Sequence, residues 1–227
     1  MTVTVCIPVW NDTTYLTGAL NSVSVQTTRP GEVIIVDDGS DVPLPRFPVE
    51  RVGDYFCTIR TTHRGPGSAW NTGLMNATGD WFLPLASDDW LEPDFLAQCL
   101  GAAYPPLCAI DHQPPDVVVP SMQEHGGQNT RYTPHVVSLE EEMAGHSFPY
   151  CALYRTEFLR GLGGWDARLM LYPDWAMWVN LLQVGARMAF APQATVNYRR
   201  HEGQHSARIS DEEHHAECAR VRELYGG

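Results

Sequence analysis

The sequence contains no lysine; all 15 of its basic residues are arginine, set against 27 acidic ones. The formal net charge is −12 and the pI about 5.0. That balance argues against electrostatic binding to bulk nucleic acid, which needs a basic surface. It leaves room for a local basic site. The chain also lacks any Cys-x-x-Cys pair, the spacing of zinc and dithiol redox motifs. Its six cysteines are scattered, and Cys6 and Cys151 sit in apolar runs, where cysteine acts as a small hydrophobe. No apolar run reaches the roughly 18 residues that a membrane helix needs. The opening MTVTVCIPVW lacks the charged start of a secretory signal. These absences predict a reduced, cytoplasmic protein with no integral membrane segment. With 227 residues, 44% of them hydrophobic, one sizeable core in a single domain is expected.

What is present reads as alternating strands and helices. Thr2 to Val9 is apolar and β-branched, which predicts an opening strand ended by Pro8. Asn11-Asp12-Thr13-Thr14 supplies capping side chains, and Leu16, Ala19, Leu20 and Val23 follow on one helix face. Val33 to Val36, after Glu32, is continuously apolar, the mark of a strand buried on both faces. Asp37-Asp38-Gly39-Ser40 forms a turn. Pro43, Pro45 and Pro48 predict an extended connection to a third strand at Phe56 to Ile59. Gly65-Pro66-Gly67 opens a helix continued by Ala69, Gly73, Leu74 and Ala77, and Trp81 to Leu85 is a fourth strand. This rhythm is that of a parallel, Rossmann-like α/β sheet. The second half is less regular. Pro93 to Leu100 and Tyr172 to Val184 read as helices, Val117 to Val119 and Ala194 to Tyr198 as strands. Ser121 to Pro134 is polar and reads as a long loop, a frequent site of binding. Ser210 to Tyr225 reads as a charged surface helix, with His205, His214 and His215 solvated.

The stretch WFLPLASDDWLEPDF, Trp81 to Phe95, sets Asp88 and Asp89 directly after an apolar strand. Adjacent like charges repel, and a buried charge without a partner is costly. The pair therefore either caps the helix that follows or belongs with a cation. Ligands of parallel α/β sheets bind at the carboxyl ends of the strands. Trp10-Asn11, Asp37-Asp38 and Asp88-Asp89 all fall at such ends. With the strands as neighbours, one crevice would hold an aromatic ring, a carboxylate and an acid pair. Such a set suits a base, a ribose and a metal-bound phosphate.

In this order the segments resemble family 2 glycosyltransferases. CIPVWN (Cys6 to Asn11) is similar to that family's opening strand, and VIIVDDGS (Val33 to Ser40) to its second motif. RGPGSAWNTGLMNATGD (Arg64 to Asp80) resembles the S-A-R-N-x-G segment, and LASDDW the D-x-D-D segment. GGWDARL, YPDWAMW and YRRHEGQHS follow in the family's sequence, so the resemblance runs from about Val3 to Ser206. It implies a GT-A fold: a Rossmann-like, mostly parallel sheet flanked by helices in one domain over residues 1–209. Its nucleotide-binding half would span about 1–100 and its acceptor-binding half about 101–209, with a helical tail at 210–227. It also implies an inverting transfer of a sugar, from a UDP sugar by preference, onto an acceptor hydroxyl.

The resemblance assigns roles. Trp10 would stack on the base, Asp38 would accept from its ring N–H, and Pro8 and Val9 would meet base or ribose through their backbone, with Asn11 and Ser87 beside them. Asp88 and Asp89 would hold Mn²⁺ or Mg²⁺ against the diphosphate, joined by His201 from the closing loop. Asp174 would take the proton of the acceptor hydroxyl, although its place before an apolar stretch equally suits a helix N-cap.

Three positions depart from the family pattern: Ala86 replaces the first acid of D-x-D, Trp70 an arginine for the diphosphate, and Pro173 a glutamate beside the base. Arg64, Arg199 or Arg200 would have to supply the missing positive charge. The three losses leave open a nucleotide-sugar-binding protein without catalysis, to be separated by whether Asp88, Asp89 and Asp174 share a crevice. A nucleotidyltransferase is disfavoured, because PVWNDTTY after the first strand has no glycine. The acceptor, whether a glycan, a lipid-linked glycan, a protein or a small molecule, is expected to meet the segment Ser121 to Ser147.

Overall fold

The computed structural model describes residues 1–45, 55–104, 114–204 and 209–226. Pro48, Cys108, His205 and Ser206 lie outside them. A strand without a polar face must be covered on both sides, and the sheet is built around one. Strand β2 (Glu32–Asp37) is buried along its whole length. It pairs in parallel with β1 (Val3–Val9) on one side and β3 (Tyr55–Arg60) on the other. On the far side of β1 lies β4 (Trp81–Pro84), again parallel. β1 runs through Pro8, which lies opposite Val36, so the proline does not end the strand. A proline costs only its own N–H in such a ladder.

Alternation along these strands feeds two cores. Val5 and Ile7 of β1, with Val33 and Ile35 of β2, face Leu16, Leu20 and Val23 of α1 (Leu16–Ser24). Cys6, Ile34 and Val36 face the opposite way, toward Ala69, Trp70 and Leu74 of α2 (Pro66–Asn76). The period of two is what the pleat requires. Helix α2 comes very close to β1 at Gly73, where an added Cβ would stand 2.2 Å from Cys6 Sγ.

Beyond β4 the sheet turns mixed. Its order is β3-β2-β1-β4-β8-β6-β9-β5 among the described residues, with β7 pairing β6. β8 (Leu153–Arg155) is antiparallel to β4 and to β6 (Val117–His125). β6 is parallel to β9 (Met188–Arg199), and β5 (Trp90–Leu91) runs antiparallel on β9's outer side. The segment read as a loop from Ser121 is thus largely sheet: β6 continues to His125, and β7 (Arg131–Tyr132) folds back on it. Its polar residues find partners there. Buried Glu124 accepts from Thr130 Oγ1 at 2.9 Å and pairs with Arg200 at 2.6 Å.

Helix α3 (Phe95–Ala103) packs under β9, α4 (Leu139–Ala144) lies against α6 (Pro173–Gln183), and α5 (Thr156–Gly161) follows β8. α7 (Asp211–Tyr225) starts with a capping box of Ser210 and Glu213. It does more than lie on the surface: it buries Val221 against Leu169, Trp175 and Val179. His214 is exposed, as expected of a surface residue, and Tyr172 Oη lies 2.5 Å from its Nδ1.

Candidate functional site

The carboxyl ends of β1, β2 and β4 open onto a cavity of about 940 Å³. Pro8, Val9, Trp10 and Asn11 line it from the end of β1, and Asp38 from the end of β2. Ser87 and Asp88 line it from the turn after β4, His201 from beyond β9 and Asp174 from the start of α6. Arg64, Asp89 and Arg199 do not line it.

At one end Trp10 is 40% exposed and stacks on His63, ring centres 4.1 Å apart and 11° from parallel. His63 Nδ1 lies 2.9 Å from Asp38 Oδ2. Asp38 is buried, and its own chain already engages it. The backbone N–H groups of Arg64 and Gly65 donate to its two oxygens at 3.1 and 2.8 Å. The expected contact to a base N–H is therefore not prepared by a free carboxylate; Asp38 fixes the 61–65 turn and through it the stacked His63. Gly65 makes that turn possible with φ of 86°, a conformation that costs a side-chain-bearing residue energy. Arg64 contributes its backbone, while its side chain is exposed and does not line the cavity. Asn11 takes φ of 58°. It accepts from Asp41 N–H at 2.8 Å, locking the β1 and β2 turns together.

At the centre the two adjacent acids part. Asp88 is half-buried on the cavity wall, with His201 Nε2 3.0 Å from its Oδ2. Asp89 is 1% exposed and points inward. Tyr150 Oη–H donates to its Oδ2 at 2.6 Å, and the Arg199 backbone N–H to its Oδ1 at 2.7 Å. Burial first, then the neighbouring Asp88, hold its carboxyl well above the usual range, against the pull of those bonds. The expectation that both acids ligate a cation is corrected for Asp89: it faces protein, not cavity. Nor do the acids cap the next helix, since α3 begins at Phe95 with Asp94 as its N-cap.

Arg199 is likewise structural. Its Nε donates to the Asp88 carbonyl at 2.9 Å, and its guanidinium lies 4.3 and 4.6 Å from the Tyr15 and Trp90 ring centres. The cation on the wall is Arg200, which is paired with Glu124. Trp70 is 6% exposed, near-parallel to Tyr150 and 5.3 Å from Trp165 between ring centres. An aromatic wall stands where the family places an arginine.

At the far end Asp174 occupies the first turn of α6; the N-cap is Tyr172, which makes no side-chain cap bond. The capping reading is thereby corrected, and the Asp174 side chain, 16% exposed, faces the cavity and His146 Nε2 at 3.8 Å. Behind it Glu142 is fully buried. Burial, with Asp174 adding, outweighs the bonds from Ser147 and pushes its carboxyl up to about 7.

His63 and His146 were missed in the sequence. His63 stands just past the end of β3, a strand end like those that drew attention to Asp38 and Asp88. The helix that carries Glu142 is announced by Ser138 and Glu141, whose capping box has a legible spacing. Among the described residues no three His, Cys, Asp or Glu converge to hold a metal by protein ligands alone. Asp88 and His201 set a carboxylate oxygen and an imidazole nitrogen side by side, the two protein donors that would hold a cation here.

A mixed α/β sheet with acids, aromatics and a helix start gathered at its strand ends is a fold of the GT-A type. Structures of TarS from Staphylococcus aureus share that fold. The TarS fragment 1–349 in complex with UDP-GlcNAc superposes with a TM-score of 0.75 at 21% identity, covering 99% of this chain and 65% of that one. The profile of Glycosyl transferase family 2 matches residues 4–163, and the chain belongs to that family. The pre-mycofactocin glycosyltransferase of Mycobacterium tuberculosis H37Rv is 32% identical over 208 residues, 86% of this chain and 42% of that protein. The glycosyltransferase RT0329 of Rickettsia typhi is 27% identical over 214 residues, 89% of this chain and 65% of that one. The chain thus spans less than two thirds of the length of these relatives. No helix among the described residues is long and apolar enough to cross a membrane.

Proposed function

We propose that the chain transfers a sugar from a nucleoside-diphosphate donor, a UDP sugar first among candidates, to an acceptor hydroxyl with inversion and with the help of Mn²⁺ or Mg²⁺. The observation that carries this is that Asp88, His201 and Asp174 line one cavity, with Trp10 and His63 at its other end. Trp10, backed by the His63 ring stacked on it, would offer a flat face to the base, and Pro8 and Val9 would border it. Asp88 and His201 would hold the cation, which when bound neutralises the charge of the departing diphosphate. Asp174 would hold and deprotonate the acceptor hydroxyl. Tyr150, Arg199 and Asp89 keep the 86–89 turn rigid so that Asp88 is presented rather than searching for its place.

Support for the acceptor half comes from Met122, Tyr132, His146 and Ser147, which line the cavity from the segment nominated for that task. A cytoplasmic setting is consistent with the five described cysteines, all of them free thiols. The experiment is calorimetric titration of UDP, GDP and dTDP, with and without Mn²⁺, into the wild type and Asp88→Ala. Metal-dependent binding of one nucleotide, lost in Asp88→Ala, is expected. A wild type that binds none of them, with or without metal, would make the cavity something other than a donor site.

A further inference from the structure

We propose that His146 is the outlet for the proton released in the transfer step, receiving it from Asp174 and passing it to water. The inference rests on the transferase reading above. In that step the acceptor O–H bond breaks and its oxygen bonds to the anomeric carbon. The bond from that carbon to the diphosphate oxygen breaks, its electron pair leaves with the nucleoside diphosphate, and the proton moves to Asp174. A carboxylate that has taken a proton must lose it before the next turnover, and imidazole is the side chain that exchanges protons near neutral pH.

His146 is placed for this. Its Nε2 lies 3.8 Å from Asp174 Oδ2, and at 24% exposure it is the more open of the two. Both side chains line the cavity. The separation is that of an ion pair, longer than a hydrogen bond; a swing of about 1 Å or one bridging water closes it.

The loop that carries His146 is anchored on both flanks. Ser147 N–H donates to Glu142 Oε2 at 2.9 Å, and Ser147 Oγ–H to the Gly145 carbonyl at 3.0 Å. Arg222 of α7 donates to the carbonyls of Met143 and Ala144, each at 3.3 Å. Trp175 Nε1–H donates to the Glu142 carbonyl at 2.7 Å, which ties this segment to the helix of Asp174. The ionisable groups that act on Asp174 are Glu142 from α4, Tyr154 from β8 and Tyr172 at the start of α6, with Arg222 of α7 on the carbonyls behind the loop. Such anchoring is unneeded for a surface histidine and serves one whose position over Asp174 matters. His146 acts through Asp174, and Glu142 positions His146.

The test uses UDP-N-acetylglucosamine, UDP-glucose and GDP-mannose with Mn²⁺ and water as acceptor, following nucleotide release from about pH 5 to 8, where imidazole titrates. His146→Gln is expected to bind nucleotide as the wild type does, to turn over at least about tenfold more slowly, and to lose the rise in rate across that range. Free imidazole should restore part of the rate to His146→Ala, which a structural role would not allow. Wild-type turnover and an unchanged pH profile in His146→Gln overturn the inference, as does a loss of rate that merely follows a loss of nucleotide binding. A wild type that binds nucleotide but releases none from these donors at any pH overturns this inference and leaves the donor reading standing, whereas one that binds no nucleotide refutes the donor reading itself.

Discussion

Replacing Asp174 by asparagine is expected to separate catalysis from binding. The change keeps the size of the side chain and removes its ability to take a proton. A positioned general base contributes about 10²- to 10⁴-fold, so turnover is expected to fall by that factor, about 3–5 kcal/mol of barrier. The cost to the fold is small. Asp174 makes no cap bond at the start of α6, so only its favourable charge at a helix N-terminus is lost, about 0.3–1 kcal/mol. The 3.8 Å pair with His146 is partly exposed and adds at most about 1 kcal/mol. Against a typical total of about 5–15 kcal/mol the variant stays folded. The hydrogen bonds that frame Asp88, Asp38 and Trp10 do not involve Asp174, so UDP should bind with unchanged affinity. Donor hydrolysis together with calorimetry reads both quantities. Unchanged turnover would refute the base assignment. A matching loss of UDP affinity would show that Asp174 belongs to the donor site instead.

Other substitutions probe the remaining parts. The unfolded chain releases the Glu142 proton near the ordinary value of about 4.3, while the folded chain holds it to about 7. Stability should therefore fall as pH rises through that window, by on the order of 3 kcal/mol, and Glu142→Gln should flatten that slope in thermal melts. Trp70→Arg, which restores the residue common in the family, is expected to lower stability by several kcal/mol, because a guanidinium would be buried among Tyr150 and Trp165 without a partner. A denaturant titration with an unchanged midpoint would show that the site accommodates the charge. Asp89→Ala should lower the melting temperature, and Asp88→Ala should spare it while abolishing the effect of Mn²⁺ on UDP binding. Equal effects of the two on both readouts would contradict the division of labour between the acids.

The first half of the chain was legible because each of its elements is local. Val33 to Val36 can only be a strand covered on both faces, and Leu16 to Val23 can only present one helix face. Their polar ends then fall at the same rim of a parallel sheet. The second half resists such reading because its strands are defined by partners distant in the chain. Ser121 to His125 is polar and looks like a loop until β9 supplies the ladder and Arg200 the counter-charge for Glu124. β8 is three residues long, too short for a period to show. His146 carries no signal in its neighbours, since what gives it meaning is an aspartate 28 positions on, brought near by the packing of α4 on α6.

The acid pair shows why a motif and its geometry are different kinds of information. Two carboxylates in succession, at the end of a buried strand, suggest two ligands for one ion. The chain cannot turn both outward, because the 86–89 turn must also be tied to the sheet that continues beyond it. Asp89 makes that tie, through Tyr150 from the segment before β8 and the backbone of Arg199 at the end of β9. Burial, and then the neighbouring Asp88, raise the carboxyl above its usual range, and the two hydrogen bonds pull against that rise. Arg199 completes the frame by holding the Asp88 carbonyl while its guanidinium lies against Tyr15 and Trp90. The same strand end then presents His201 two residues on, 3.0 Å from Asp88. The inward acid thus fixes the outward one and sets the distance to its histidine partner. Ala86, which could look like a lost ligand, stands at a point where the backbone N–H already serves this frame by donating to Tyr150 Oη at 3.0 Å.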